Sequence, residues 1–325
     1  EMPGDTHNPK GYGESQKIYH FNERLLESAG SAWTDFGPFN DGWLSSPMAR
    51  SYAEELRSLE GAEYGNAPLI VLKDPRICRI LPFWLAELSR MHFAPKVVIS
   101  IRNPLEVAAS LRQRDGLSTR AACLLWLRHV LEAELESRSV PRSFVVYEDL
   151  IQDWRSVVER VAHELNITWP KRSSSTDYEI DQFLSADFRR HHFDRQDVSS
   201  RGDVPDWVKE VYGLVSGASG PEPEASARFD EIRSDFDKAY SSLGTLIYEV
   251  ETEKKELEQR LHEKTDELKS LSLELELRMS ELEARGTSLA ASQAELEARK
   301  SELEARGTSL AASQAELEAR KSELE

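Results

Sequence analysis

The sequence predicts an α/β domain built on a parallel sheet, continued by a long α-helical coiled coil. Three observations lead there. Between residues 16 and 165, short β-branched runs alternate with amphipathic helical segments, the order of a parallel sheet. At 216–226 the stretch SGASGPEPEAS reads as a linker. Beyond it, apolar residues recur at heptad spacing.

The 325 residues are 39% hydrophobic and 30% charged, enough for one ordinary domain plus something extended. A net charge of −17 argues against a nucleic-acid partner, because phosphate contacts need clustered Lys and Arg. Cys78 and Cys123 belong to no CxxC or metal-ligand pattern, which points to a reducing, cytoplasmic compartment. No apolar run has the length of a membrane span. The chain opens EMPGDTHNPKG and ends inside a repeat, so both ends are expected to be cuts from a longer protein.

Taken in order, residues 8–14, NPKGYGE, form a loop. Residues 16–30 form an amphipathic helix with Ile18, Phe21, Leu25 and Leu26 on one face, and 47–60 form a second helix. Leu69-Ile70-Val71-Leu72 is a short strand ending in Lys73-Asp74-Pro75-Arg76, where a polar cap and a first-turn Pro open another helix. Pro82 should kink that helix. Val97 to Ile101 is a β-branched run expected to be a buried strand. Asn103-Pro104-Leu105-Glu106 then starts a helix, with Glu106 placed to close a capping box, and Gly116 stops it. A helix over 118–137, a strand over Ser143–Tyr147 and a helix over 153–165 follow. KRSSSTD, at 171–177, is a loop. FLSADFRRHHFDR, at 183–195, should make a basic surface suited to an anionic glycan. His191 and His192 are adjacent, about 100° apart on a helix, and so make no metal site. PDWVKEVYGL, at 205–214, is the last helix of the domain.

Arg102 thus falls at the carboxyl end of a strand, with Ser110 about two turns into the next helix. Open α/β sheets bind ligands in that crevice. An arginine fork, a hydroxyl and free helix amides together suit a phosphate.

The stretch KVVISIRNPLEVAASLRQRDG, at 96–116, resembles the 3′-phosphate-binding motif of sulfotransferases that use 3′-phosphoadenosine 5′-phosphosulfate (PAPS). The resemblance implies that Arg102 and Ser110 hold the 3′-phosphate. FVVYEDL resembles the strand of that family whose Tyr meets the adenine, which implies this role for Tyr147. NPKGY followed by a helix and SAWTD resembles a segment of the bacterial branch, and KDPR resembles the acceptor-side turn. In the family a base from that region or the preceding loop takes the acceptor proton. Asp74, Glu14 and His20 are the candidate bases here, and Asp74, Glu14 and Lys73 form the candidate catalytic set. The resemblance covers about residues 5–215. One departure matters: the RSGTS-type phosphosulfate turn between the family's first strand and helix does not occur in these residues. The first strand-loop-helix unit is therefore expected upstream of Glu1. The segment without it is expected to be poorly soluble and inactive.

After the linker, Phe229, Phe236, Leu243, Val250, Leu257 and Leu271 fall at heptad position d. Tyr240, Ile247, Leu261, Leu268, Leu275 and Leu282 fall at a. The unit SELEARGTSLAASQAELEARK occurs at 280–300 and again at 301–321, and its 21 residues preserve the register. There Leu keeps position a while d becomes Arg or Ser, and Gly286 and Gly307 each cost roughly 1 kcal/mol of helix propensity. The expected organisation is a sulfotransferase-like domain over 1–215, a linker over 216–226, a coiled coil over 227–282 and a weaker helical extension over 283–325. The expected partners are PAPS, a hydroxyl acceptor of carbohydrate type, and another helix or a second copy along the seam. The rival reading is a non-catalytic nucleotide-binding remnant that displays a coiled coil.

Overall fold

The computed structural model describes residues 13–65, 67–184, 193–217, 221 and 224–322, leaving aside the side chains at 247, 248 and 251. Most of the NPKGYGE loop, the FRRHH stretch and part of the linker lie outside the described residues. The chain divides into two units, Glu1–Thr245 and Leu246–Glu325.

The first unit is mostly helical. Its helices are α1 (Gln16–Ser28), α2 (Pro47–Tyr64), α3 (Leu81–Arg90), α4 (Pro104–Asp115), α5 (Thr119–Glu136), α6 (Tyr147–Gln152), α7 (Trp154–Glu164), α8 (Ser174–Phe183), α9 (Arg195–Ser200) and α10 (Asp206–Val215). Strands β1 (Val97–Ile101) and β2 (Arg142–Val146) pair in parallel, with Val97 opposite Arg142 and Ile101 opposite Val146. The α4–α5 pair carries the chain from one strand to the other, as a parallel connection requires.

Local sequence explains most of the boundaries. Ser46 caps α2 through Ala49 N at 3.1 Å, and Pro47 takes the first position. Ser118 caps α5 through Ala121 N at 3.2 Å. Gly116 ends α4 in the left-handed region, φ 71°, where a residue without Cβ is unstrained. The expected break at Pro82 appears at Ile80, where a 3₁₀ turn over Pro75–Ile80 gives way to α3.

Three expectations are corrected. Leu69–Leu72 is no strand: among the described residues the sheet is the β1–β2 pair, and this segment has no ladder partner to hydrogen-bond. Val71 is 72% exposed. The β1 run is buried on one face only: Ile99 and Ile101 point inward, whereas Val98 and Ser100 are exposed. Tyr147 opens α6 rather than closing the strand.

Two main cores result. One packs α1, α2 and α3 through Phe21, Trp43, Phe83 and Trp84. The other packs β1, α4, α5 and α10, and it includes Phe229, Ile232 and Phe236 from the long helix α11 (Ala225–Ser322). Phe229 and Phe236, expected at seam positions, are therefore domain core. Tyr240, half-buried, lies against the 31–40 loop, where a Cβ added to Gly37 would overlap its ring as it stands. Two ion pairs fix the dock, Arg128–Asp237 at 2.5 Å and Arg138–Asp230 at 3.0 Å. The part of α11 in the second unit is one continuous helix whose leucines stay exposed. It fits a coiled-coil strand.

Phe229 is fully buried, so Phe229→Ala should remove about 3–5 kcal/mol of stability from the first unit. Urea denaturation followed by tryptophan fluorescence measures it. A seam residue without domain contacts would cost far less.

Candidate functional site

Arg102 and Tyr147 follow the last register pair, Ile101 and Val146, so backbone pairing alone sets them side by side. The Arg102 guanidinium lies 4.8 Å from the centre of the Tyr147 ring. Its Nε donates to Glu106 Oε2 at 2.9 Å, and the Glu106 carboxylate is fully buried. Trp126 Nε1 donates to the Arg102 carbonyl oxygen at 3.1 Å and holds the strand end. The side chain of Arg102 is 37% exposed, and its Nη edge makes no hydrogen bond to another described residue. Ser110 is exposed, four residues past Glu106, on the same side of α4. Arg102, Glu106 and Ser110 thus stand in a row at i, i+4 and i+8.

The α4 amides differ from the expectation. Asn103 Oδ1 accepts from Leu105 N at 2.9 Å, and the Asn103 carbonyl accepts from Glu106 N at 3.0 Å and Val107 N at 3.1 Å. The helix start is satisfied internally, so an anion here would rely on side-chain donors. Glu106, read from the sequence as half of a capping box, instead takes Arg102 and turns its Nη edge outward. The i, i+4 spacing was the signal for that pair. Asn103 Nδ2 donates to Phe193 O at 3.0 Å, bringing the end of the basic 183–195 segment to this strand end.

The acceptor-side residues form a second group. Lys73 Nζ donates to Glu14 Oε1 at 2.5 Å, and Glu14 is buried. Asp74 is buried as well, and both its oxygens are engaged. Oδ1 accepts from Arg76 N at 2.8 Å and Arg76 Nη1 at 3.2 Å, and Oδ2 accepts from Asn22 Nδ2 at 2.9 Å. That is a structural cap on the 3₁₀ turn. His20 is exposed, with its ring edge-on to Tyr19 at 5.2 Å. The two groups approach each other around Trp33, whose ring has Arg76 at 6.0 Å and Arg114, one turn beyond Ser110, at 5.5 Å. No cluster of metal-ligating side chains occurs among the described residues, and none of their helices is long and apolar enough to cross a membrane. Both cysteines are free thiols.

A scan against protein-family models found no match, and neither did searches of curated proteins and of solved structures.

Behind the Lys73–Arg76 turn lies a titratable pair that the sequence pattern concealed as ordinary helix positions. Arg79, fully buried, donates from Nη1 to Glu132 Oε1 at 2.7 Å and from Nη2 to Gly37 O at 3.0 Å. Burial pushes the Glu132 carboxyl up to about 7, against the pull of Arg79 and Arg128. His129, one turn earlier, hydrogen-bonds the Leu125 carbonyl through Nδ1 at 2.9 Å, which makes Nδ1 the protonated nitrogen of the neutral ring. Burial pulls its pKa down to about 4.

The two groups oppose each other. The raised pKa of Glu132 favours the folded state at low pH, and this stability is lost as pH rises from about 4.5 through 7. The depressed pKa of His129 favours the folded state above 6.5, and this stability is lost as pH falls toward 4. Glu132→Gln should therefore unmask the histidine. Between pH 6.5 and 4.5 the variant should lose about 2 kcal/mol more than the parent. Denaturant titrations at the two pH values give the difference, in which other carboxylates cancel. Equal losses in the two proteins would mean that Glu132 ionises normally.

Proposed function

We propose that the first unit is a PAPS-type sulfotransferase domain, with the phosphate-binding α/β architecture of that family, acting on a hydroxyl acceptor of carbohydrate type. The observation that carries the reading is the Arg102–Tyr147 pair at the carboxyl ends of two parallel strands, with an open guanidinium edge and the Ser110 hydroxyl along the same side of α4. These residues fit a nucleotide carrying a 3′-phosphate. The Nη edge and the serine hydroxyl supply donors, and the tyrosine ring supplies a flat apolar surface for a base. Glu106 acts as a positioning residue, holding Nε so that the fork faces out.

Bound PAPS would supply an activated sulfuryl group. The chain's own contribution is to hold the nucleotide, orient the acceptor and accept its proton. Asp74 is committed as a cap, so Glu14 is the base in this reading, with Lys73 fixing one of its oxygens. The arginine-flanked ring of Trp33 is the surface on which an acidic sugar would rest.

The same engaged state of Asp74 and Lys73 favours one alternative, a non-catalytic nucleotide-binding scaffold. Both readings need the 3′-phosphate contact, and transfer activity separates them. Calorimetry of the whole chain with 3′,5′-ADP and 5′-AMP should give about ten-fold or more tighter binding of 3′,5′-ADP, and Arg102→Ala should erase the preference. Equal affinities for the two nucleotides, or an unaffected variant, would remove the basis of both readings. Because the enzyme reading also expects no transfer without a phosphosulfate turn, transfer is assayed with that strand-loop-helix unit supplied ahead of residue 1, and preferential binding without sulfuryl transfer to any glycan in that protein would favour the scaffold.

A further inference from the structure

The second unit leaves an apolar seam on one side of a helix with nothing packed on it among the described residues. Leu257, Leu261, Leu268, Leu271 and Leu275 are each 61–68% exposed, although their heptad spacing puts them in one stripe. We propose that this unit forms a parallel, in-register, two-stranded coiled coil with a second copy of the same chain.

The charges flanking the seam name the occupant and its direction. With Leu at position a, the g positions from Glu253 to Glu316 are Glu at seven heptads of ten. An antiparallel pair sets g against g, so it would bring glutamate onto glutamate along most of its length. A parallel pair sets g against the e position five residues on in the other strand. In the repeats that places Glu295 opposite Lys300 and Glu316 opposite Lys321 of the second copy. The parallel orientation thus avoids the glutamate repulsion and gains these two pairs. Like charge meets in that orientation at Glu253 against Glu258, near the start of the seam.

The ion pairs of the single helix are compatible with this assignment, in which Glu295 and Glu316 each meet both the arginine four residues on in their own strand and the lysine of the second copy. Arg299 and Arg306, at d, bond back to Glu295 at 2.9 Å and Glu302 at 2.8 Å, one turn earlier. A d-position guanidinium already neutralised within its own strand can lay its aliphatic stem along the seam and keep its head at the edge. Lys300 and Lys321 have no ion-pair partner among the described residues, so they remain for the other strand. The labour divides along the helix. Residues 250–275 supply apolar contact, and 282–321, with Leu only at a, supply direction and register through the Glu–Lys pairs. Lys254 at a and Lys264 at d are polar seam positions of the kind that restrict oligomer state.

The test uses the whole chain. Sedimentation equilibrium should give twice the 36.9 kDa chain mass, and Leu268→Asp should return it to the monomer. A chain that stays monomeric at every concentration, or that forms a trimer, overturns the proposal. Orientation is read from Leu261→Cys and Leu289→Cys, each oxidised in a separate sample beside the parent chain. A parallel in-register pair brings both positions against their own copies, so both should form disulfide-linked dimers well beyond the parent's background. An antiparallel pair can match one of them at most, and that result overturns the parallel assignment. Finally, Lys300→Glu with Lys321→Glu should raise the dissociation constant about ten-fold at low salt. Adding Glu295→Lys and Glu316→Lys to the same chain should bring it back. Failure of that rescue would show that the charges do not pair across the seam.

Discussion

Arg128 lies in the middle of α5 with its side chain 1% exposed, and its charge is met by two other segments. Nε donates to Phe36 O at 2.6 Å, Nη2 donates to Asp237 Oδ1 at 2.5 Å, and the guanidinium rests 4.6 Å from the centre of the Phe236 ring. A buried cation stripped of one partner costs about 3–5 kcal/mol, so neither the 31–40 loop nor the start of the long helix is free to lift away. Much else follows from that constraint. Asp237 sets which turn of the long helix faces α5, which carries Phe229, Ile232 and Phe236 into the core. Phe36, held by its carbonyl, places Gly37 against the Tyr240 ring. Arg79 then reaches the Gly37 carbonyl from the other side, so the same loop also closes over the Glu132 pair.

The parts of the fold that were legible in the sequence are those fixed by chemistry within a few residues. Asn103-Pro104, Asp74-Pro75 and Gly116 mark their helix ends because each satisfies or terminates a local backbone pattern. What escaped depends on partners distant in sequence. Leu69–Leu72 has the composition of a strand, but a strand is defined by a neighbour, and composition cannot supply one. The heptad pattern has the same weakness. Phe229, Phe236 and Tyr240 share the register of Leu257 and Leu268, yet the first three pack on their own domain and the last two face outward. An apolar stripe looks the same whether it meets a domain or another helix. The aromatic residues at the start of the stripe and leucines after it were the one available hint.

The site divides in the same way. Arg102 stood out because a strand followed by a helix start places its last residue at the strand's carboxyl end, whereas Tyr147 was singled out only by the resemblance of FVVYEDL, and the register sets the two side by side. Asp74 was ambiguous, because a carboxylate before a Pro is equally good as a helix cap and as a base. Asn22 and Arg76 engage it as a cap, and Asn22 is 52 residues away.

The state of Arg102 also bears on what this edge can discriminate. Its Nε is held by a buried carboxylate and its flat face lies against Tyr147, so part of its rotamer freedom is already lost. Ordering a long side chain costs up to about 2 kcal/mol, and here the fold bears part of that cost. The remaining Nη edge is a fixed, planar pair of donors, a shape matched to the oxygens of a phosphate and poorly matched to a single carbonyl. The neighbouring helix amides are occupied by Asn103, so they add little to bind other anions indiscriminately. The buried negative charge of Glu106 weakens the attraction for any anion that does not engage the fork directly. If the proposed 3′-phosphate is the ligand, this geometry would favour selectivity over affinity, with Ser110 as the further donor along the same side of α4.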